Sequence, residues 1–282
     1  MINVIYESSD GRRFDLKADP VRIKNANFHN YAWTREVIDQ RFGEKVQRFS
    51  KDAQEYETTL YFVGNRDDVR SMLYELHNAF EQDIIQQSPG RLYWHKSYIP
   101  CYVTASSTYP HENNAWVCND ITIYCPSPFW IEEKTFSFFP VEEQGSYPYL
   151  DFDVDFAYDF SYKPRAILPI ETGHYAPSSF RMIMHGPCVN PSVTIGGNVY
   201  NVNVSVPSGG YLVIDSRPEA PLGWQVYMIN AAGVQSNIFD DRNPNYQILE
   251  RIPGGTVNLE YSRTYGIDLT LYLERSEPSW MS

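Results

Sequence analysis

Cysteine is scarce in this chain: four of 282 residues, Cys101, Cys118, Cys125 and Cys188. None forms a Cys-x-x-Cys pair, and no histidine stands at zinc-finger spacing from them, so neither a zinc site nor a disulfide framework is expected. The expectation is buried, reduced thiols. Long apolar runs are missing as well. Nothing approaches the roughly 20 apolar residues that cross a bilayer, and the start, Met1-Ile2-Asn3-Val4-Ile5-Tyr6-Glu7, has no basic residue, apolar run or small-residue cleavage site. Neither a secretory signal nor a membrane partner is expected. Positive charge is in deficit throughout: residues 1–150 carry 15 Lys and Arg against 21 Asp and Glu, and residues 151–282 carry 8 against 14. Such a chain has little with which to displace counterions from a polyanion, so specific binding of DNA or RNA is disfavoured.

Catalytic signatures are absent too. The sequence contains no Gly-x-x-x-x-Gly-Lys-Ser/Thr loop, no Gly-x-Ser-x-Gly elbow and no His-Glu-x-x-His. Its histidines, at 29, 77, 95, 111, 174 and 185, show no ligand spacing. No catalytic residue, cofactor or metal is therefore assigned. The run Asp151-Phe152-Asp153-Val154-Asp155-Phe156 opens like a calcium loop, but Phe156 stands where glycine is needed and Tyr162 where the bidentate acid belongs. Period-two alternation makes it a strand with one wet face.

What is plentiful is the aromatic side chain: 22 Tyr, 15 Phe and 6 Trp. Rings suit a pleated, half-buried surface, while 19 prolines and 16 glycines argue against long helices. The chain is expected to be mainly β. One helix stands out near residues 66–86, where Val69, Leu73, Leu76, Phe80 and Ile84 recur at three- and four-residue steps. Asn65 is its expected N-cap, Asp67 and Asp68 suit the first turn, and Ser88-Pro89-Gly90 stops it. Strands are expected at 58–63, 92–94, 100–104 and 116–125. Between Phe28 and Asp52 a polar stretch carries Tyr31, Trp33, Phe42 and Phe49. Polar sequence studded with rings suits an extended arm or long hairpin that finds its partner elsewhere, or equally a surface loop with a few tucked aromatics; the first reading makes Tyr31, Trp33 and Phe42 candidate oligomer-interface residues.

Residues 140–148 are polar and punctuated by Pro140, Gly145 and Pro148, marking a boundary between a first domain at 1–145 and a second at 146–282. Beyond it, short apolar strands alternate with glycine and proline turns, the pattern of an antiparallel sandwich. Gly196-Gly197 reads as a two-residue hairpin turn. Trp224, Tyr227, Tyr246 and Trp280 are either sandwich core or, for Trp224 and Trp280 above all, stacking platforms for sugar rings. That second possibility makes a carbohydrate-binding module for cell-surface recognition the alternative function.

Several segments carry a resemblance. In the first half they are Leu60-Tyr61-Phe62-Val63-Gly64, the helix through Leu73, Leu76 and Phe80, Pro89-Gly90-Arg91-Leu92, and Ile121 to Trp130. In the second half they are Gly186 with Asn190-Pro191, Gly210 to Asp215, and Ile252 to Leu259. With these elements in this order, the chain resembles the phage distal tail (Dit) proteins, hub components of siphophage-type tail tips and baseplates. The resemblance implies an N-terminal β-rich ring-forming domain with one helix, followed by a C-terminal galectin-like β-sandwich. Six copies would form a hub ring at the distal end of a tail. The implied partners are the tail tube protein, a tail-associated lysin or tip protein, and receptor-binding proteins. DNA would pass through the ring without specific binding, in a virion part assembled in the host cytoplasm. No catalysis is implied.

Overall fold

The computed structural model describes residues 3–24, 26–110, 116–141, 166–218 and 223–280. Among them the chain is mainly β, its paired strands antiparallel, with one α-helix. It divides into two compact units, Met1–Glu132 with Glu274–Ser282, and Glu133–Leu273. The expected break at 145/146 and the acidic run 151–160 lie outside the described residues.

In the first unit β1 (Val4–Glu7), β2 (Arg13–Asp15), β3 (Val21–Lys24), β4 (Thr34–Asp39), β5 (Glu44–Ser50) and β6 (Gln54–Val63) precede the helix α1 (Arg66–Ile85). After it come β7 (Gly90–Trp94), β8 (Ser97–Pro110), β9 (Trp116–Cys125) and the start of β10 (Trp130–Phe138), which runs on past Glu132 into the second unit. The long β8 serves two sheets. Residues Ser97–Cys101 pair with β7, and from Tyr102 onward the strand pairs with β9, with a register shift between Val103 and Ala105. An extra residue at that point adds the local bend and twist a strand needs to pass between sheets. The strand orders are β2-β1-β7-β8 on one side and β3-β6-β9-β8 on the other. Their far ends are stitched together by Leu16 N–H to Val4 O at 2.8 Å and Ile23 N–H to Leu16 O at 2.7 Å.

Helix α1 starts as the sequence predicts, with Asn65 Oδ1 accepting the Asp67 N–H at 3.5 Å. Val69, Leu76 and Phe80 are buried, but Ile84 is exposed, contrary to the expected stripe. At about 100° per residue, Ile84 has rotated away from the centre of the buried set, and Asp83 takes the inward position of that turn. This buried carboxylate accepts the Tyr6 hydroxyl and, at 2.8 Å, the Ser9 N–H. Burial, with Cys101 and Asp83 close by, pushes the Tyr6 phenol far above its ordinary range, so Tyr6 stays a donor. Gly90 makes room for the pair: a Cβ there would stand 2.7 Å from both Asp83 Oδ2 and the Tyr6 hydroxyl. The abundance of rings is explained by the core. Phe28 packs edge-on against Tyr56, Trp94 and Trp130 at centroid distances of 5.3, 5.6 and 5.7 Å.

The second unit contains β11 (Ala166–Glu171), β12 (Ser179–His185), β13 (Cys188–Val189), β14 (Ser192–Ile195), β15 (Asn198–Asn201) and β16 (Ser205–Val206). It continues with β17 (Tyr211–Asp215), β18 (Val226–Ile229), β19 (Gln235–Asn237), β20 (Thr256–Tyr261) and β21 (Ile267–Arg275), whose last two residues belong to the first unit. One sheet runs β19-β18-β17-β12-β21 and another β11-β20-β14-β15. Both feed one core: Phe180, Met182, Leu212, Ile214 and Leu269 from the first meet Val193, Ile195, Tyr200, Val257 and Leu259 from the second. This is a sandwich, built by the alternation of inward apolar residues along each strand. Gly196 and Gly197 form the β14–β15 turn at φ +57° and +90°, conformations open to glycine at little cost.

All four cysteines are free; Cys101, Cys118 and Cys125 are buried and Cys188 is half-buried. Burial pushes the Cys125 thiol up to about 12. Alkylation of native protein at pH 8 is therefore expected to modify Cys188 first. The other three should react only as the first unit opens, which peptide mass mapping of a time course would show.

Candidate oligomer interface

The arm expected from the sequence is a hairpin. Strands β4 and β5 pair from Thr34↔Ser50 to Asp39↔Glu44, with a register shift between Glu36 and Val37. The turn is closed by Gln40 N–H donating to Gly43 O at 2.9 Å, and Gly43 takes a φ of +81°. The two strands form a sheet of their own and pair with no other described strand. A lone two-stranded ribbon is marginal in water, and this one has little apolar packing beneath it. Instead its apolar side chains face solvent: Phe42 is 85% exposed and Phe49 59%, with Trp33, Ile38 and Val46 each more than two-fifths exposed. Apolar groups gathered on a polar ribbon make this hairpin the candidate interface.

The feet of the hairpin are well held. At the outgoing foot, Lys51 Nζ donates to Pro128 O at 2.7 Å and to Ser276 O at 3.3 Å. The same ammonium lies 5.4 Å from the Tyr31 ring centroid and 5.0 Å from that of Phe129. Burial holds its pKa below the usual lysine value. Trp33 leans on Phe129 at 6.2 Å. At the incoming foot, His29 stacks on Trp280 at 3.6 Å and meets the edge of Trp94 at 5.4 Å. Of the three interface residues inferred from sequence, Tyr31 and Trp33 thus sit at the base and Phe42 at the tip. Lys51 carried no signal in the sequence, because its acceptors are backbone carbonyls far along the chain.

Trp224 is half-buried in the second unit just before β18, whereas Trp280 belongs to the first unit with one face on His29. Tyr227 is buried and accepts Arg181 Nη2 at 3.4 Å. Tyr246 is exposed.

Among the described residues, two side-chain clusters have the residue types of hydrolytic chemistry, and in each a third side chain engages the serine or the histidine. Ser106 Oγ lies 3.2 Å from His77 Nε2, but the buried Asn119 amide holds that nitrogen at 2.6 Å. Asp268 takes Ser137 Oγ on one oxygen at 2.6 Å and His185 Nε2 on the other at 2.8 Å, so the serine faces the acid instead of the base.

No protein-family model and no curated protein matches the chain. Solved structures do, along its whole length. The SPP1 Dit (gp 19.1) protein, described as a paradigm of the hub adsorption apparatus in phages infecting Gram-positive hosts, is 12% identical; the match covers 98% of this chain and 99% of that one, at a TM-score of 0.59. A chain of the phage P2 baseplate in its activated conformation with Ca is 12% identical over 99% of this chain and 100% of its own, at 0.67. Its counterpart with Sr is 11% identical over the same shares, at 0.66. At such identities the likeness is one of architecture: from end to end, this chain has the fold of phage Dit hub and baseplate proteins.

Proposed function

We propose that the protein is a structural virion component whose copies, six in number, close a hub ring at the distal end of a phage tail. In this reading the first unit forms the ring and the second is a peripheral, galectin-like sandwich. The ring joins the tail tube protein to a tail-associated lysin or tip protein and to host-attachment proteins, and its work is assembly, with no catalysis. The observation that carries the reading is the β4–β5 hairpin, which presents Trp33, Phe42 and Phe49 to solvent on a chain with the Dit fold. Identical subunits that dock heterologously must either close or polymerise, and an arm projecting from one copy supplies such a contact. The net charge of −12 suits a lumen through which DNA slides without sticking. Native mass measurement and negative-stain imaging of purified protein, alone and with the tube protein, test the proposal. A six-fold annulus is the expected result; a monomer at high concentration under both conditions would overturn it.

A further inference from the structure

The segment that follows β21 touches both feet of the hairpin. Ser276 O accepts Lys51 Nζ at the outgoing foot, and Trp280 stacks on His29 at the incoming one. Between them, Ser279 N–H reaches Ser97 Oγ at 3.4 Å, fixing the segment to the start of β8. We propose that residues 276–280 are a strap that sets the direction of the hairpin, holding it while both ends are seated and releasing it when either lifts. A ribbon whose strands pair only with each other has little besides its feet to stop it pivoting. The half-buried ammonium needs acceptors, and Ser276 O is one of two. Trp280 is 72% exposed in spite of its stack, so this end is grasped by one face and has water on the other. The strap thus meets Lys51 through one hydrogen bond at 3.3 Å and His29 through one ring face, contacts that a shift of residues 276–280 would break. Its existence does not depend on what the hairpin docks against.

The experiment measures the hairpin within one copy. Spin labels at Gln40→Cys, in the turn, and Glu75→Cys, on α1, are placed in a Cys188→Ser background, the other cysteines being buried. The labelled chain is diluted with unlabelled protein so that pulsed electron resonance reads distances inside single subunits. A narrow distribution is expected for the parent. Trp280→Ala and Lys51→Met are each expected to broaden it severalfold, and Trp280→Phe, which keeps a ring on His29, is expected to leave it narrow. Thermal melting checks that the fold persists. If Lys51→Met does not fold, the exposed Trp280 site decides alone. Unchanged width in Trp280→Ala, or broadening by Trp280→Phe as large as by alanine, would overturn the strap. Neither result bears on whether rings form.

Discussion

A chain with residues 38–45 replaced by Asn-Gly is expected to fold normally and to form no ring. The replacement removes Ile38 and Phe42 and rejoins Val37 and Val46, which already pair, through a turn type suited to two-residue hairpins. None of the deleted side chains belongs to either buried core, so thermal stability should stay close to that of the parent. Association, by contrast, draws most of its free energy from a few aromatic anchors. Single changes follow the same logic on a smaller scale. Trp33→Ala or Phe42→Ala is expected to weaken association by about 2 kcal/mol, roughly 30-fold, as a buried interface anchor does. Sedimentation velocity over a concentration series reads both effects. Rings that persist with the shortened hairpin would show that subunits meet elsewhere.

Trp130→Ala is expected to cost the first unit about 3–5 kcal/mol, the usual penalty for deleting a large buried ring. Trp130 is 1% exposed, packs near Phe28, and donates its indole N–H to the Tyr56 hydroxyl at 3.2 Å. Alanine leaves a cavity among rings too rigid to fill it and deprives a buried phenol of a donor; burial has pushed that phenol up to about 12. Urea unfolding, followed through probes in the first unit, should show the midpoint fall. A loss below about 1 kcal/mol would mean that the aromatic cluster collapses onto the vacancy.

The sequence was most legible where a period repeats often enough to be read. Twenty residues of α1 show their stripe, and β9 alternates between buried and more open positions from Asp120 to Cys125. The glycine pair at 196–197 announced its turn because few other residues accept positive φ twice in succession. Strands β1 to β3 are three or four residues long, fewer than a periodicity needs, and they were not anticipated. The hairpin was half-legible: rings in polar sequence pointed to an arm, while the exposure of those rings is a tertiary fact. The feet were not legible at all. Lys51 meets carbonyls 77 and 225 residues away, and any residue type supplies a carbonyl. Trp280 read as one more aromatic beside Trp224, since nothing local says that the chain comes back to His29.

That return has a consequence in time. The first unit is split in the gene order, with 133–273 intervening before Glu274–Ser282. At about 5–20 residues per second on the ribosome, translating that insert takes roughly 7–30 s. Throughout this interval the residues of the hairpin have been translated, but not the stretch that carries Ser276 and Trp280. Lys51 and His29 wait, half dressed, for partners still to be translated.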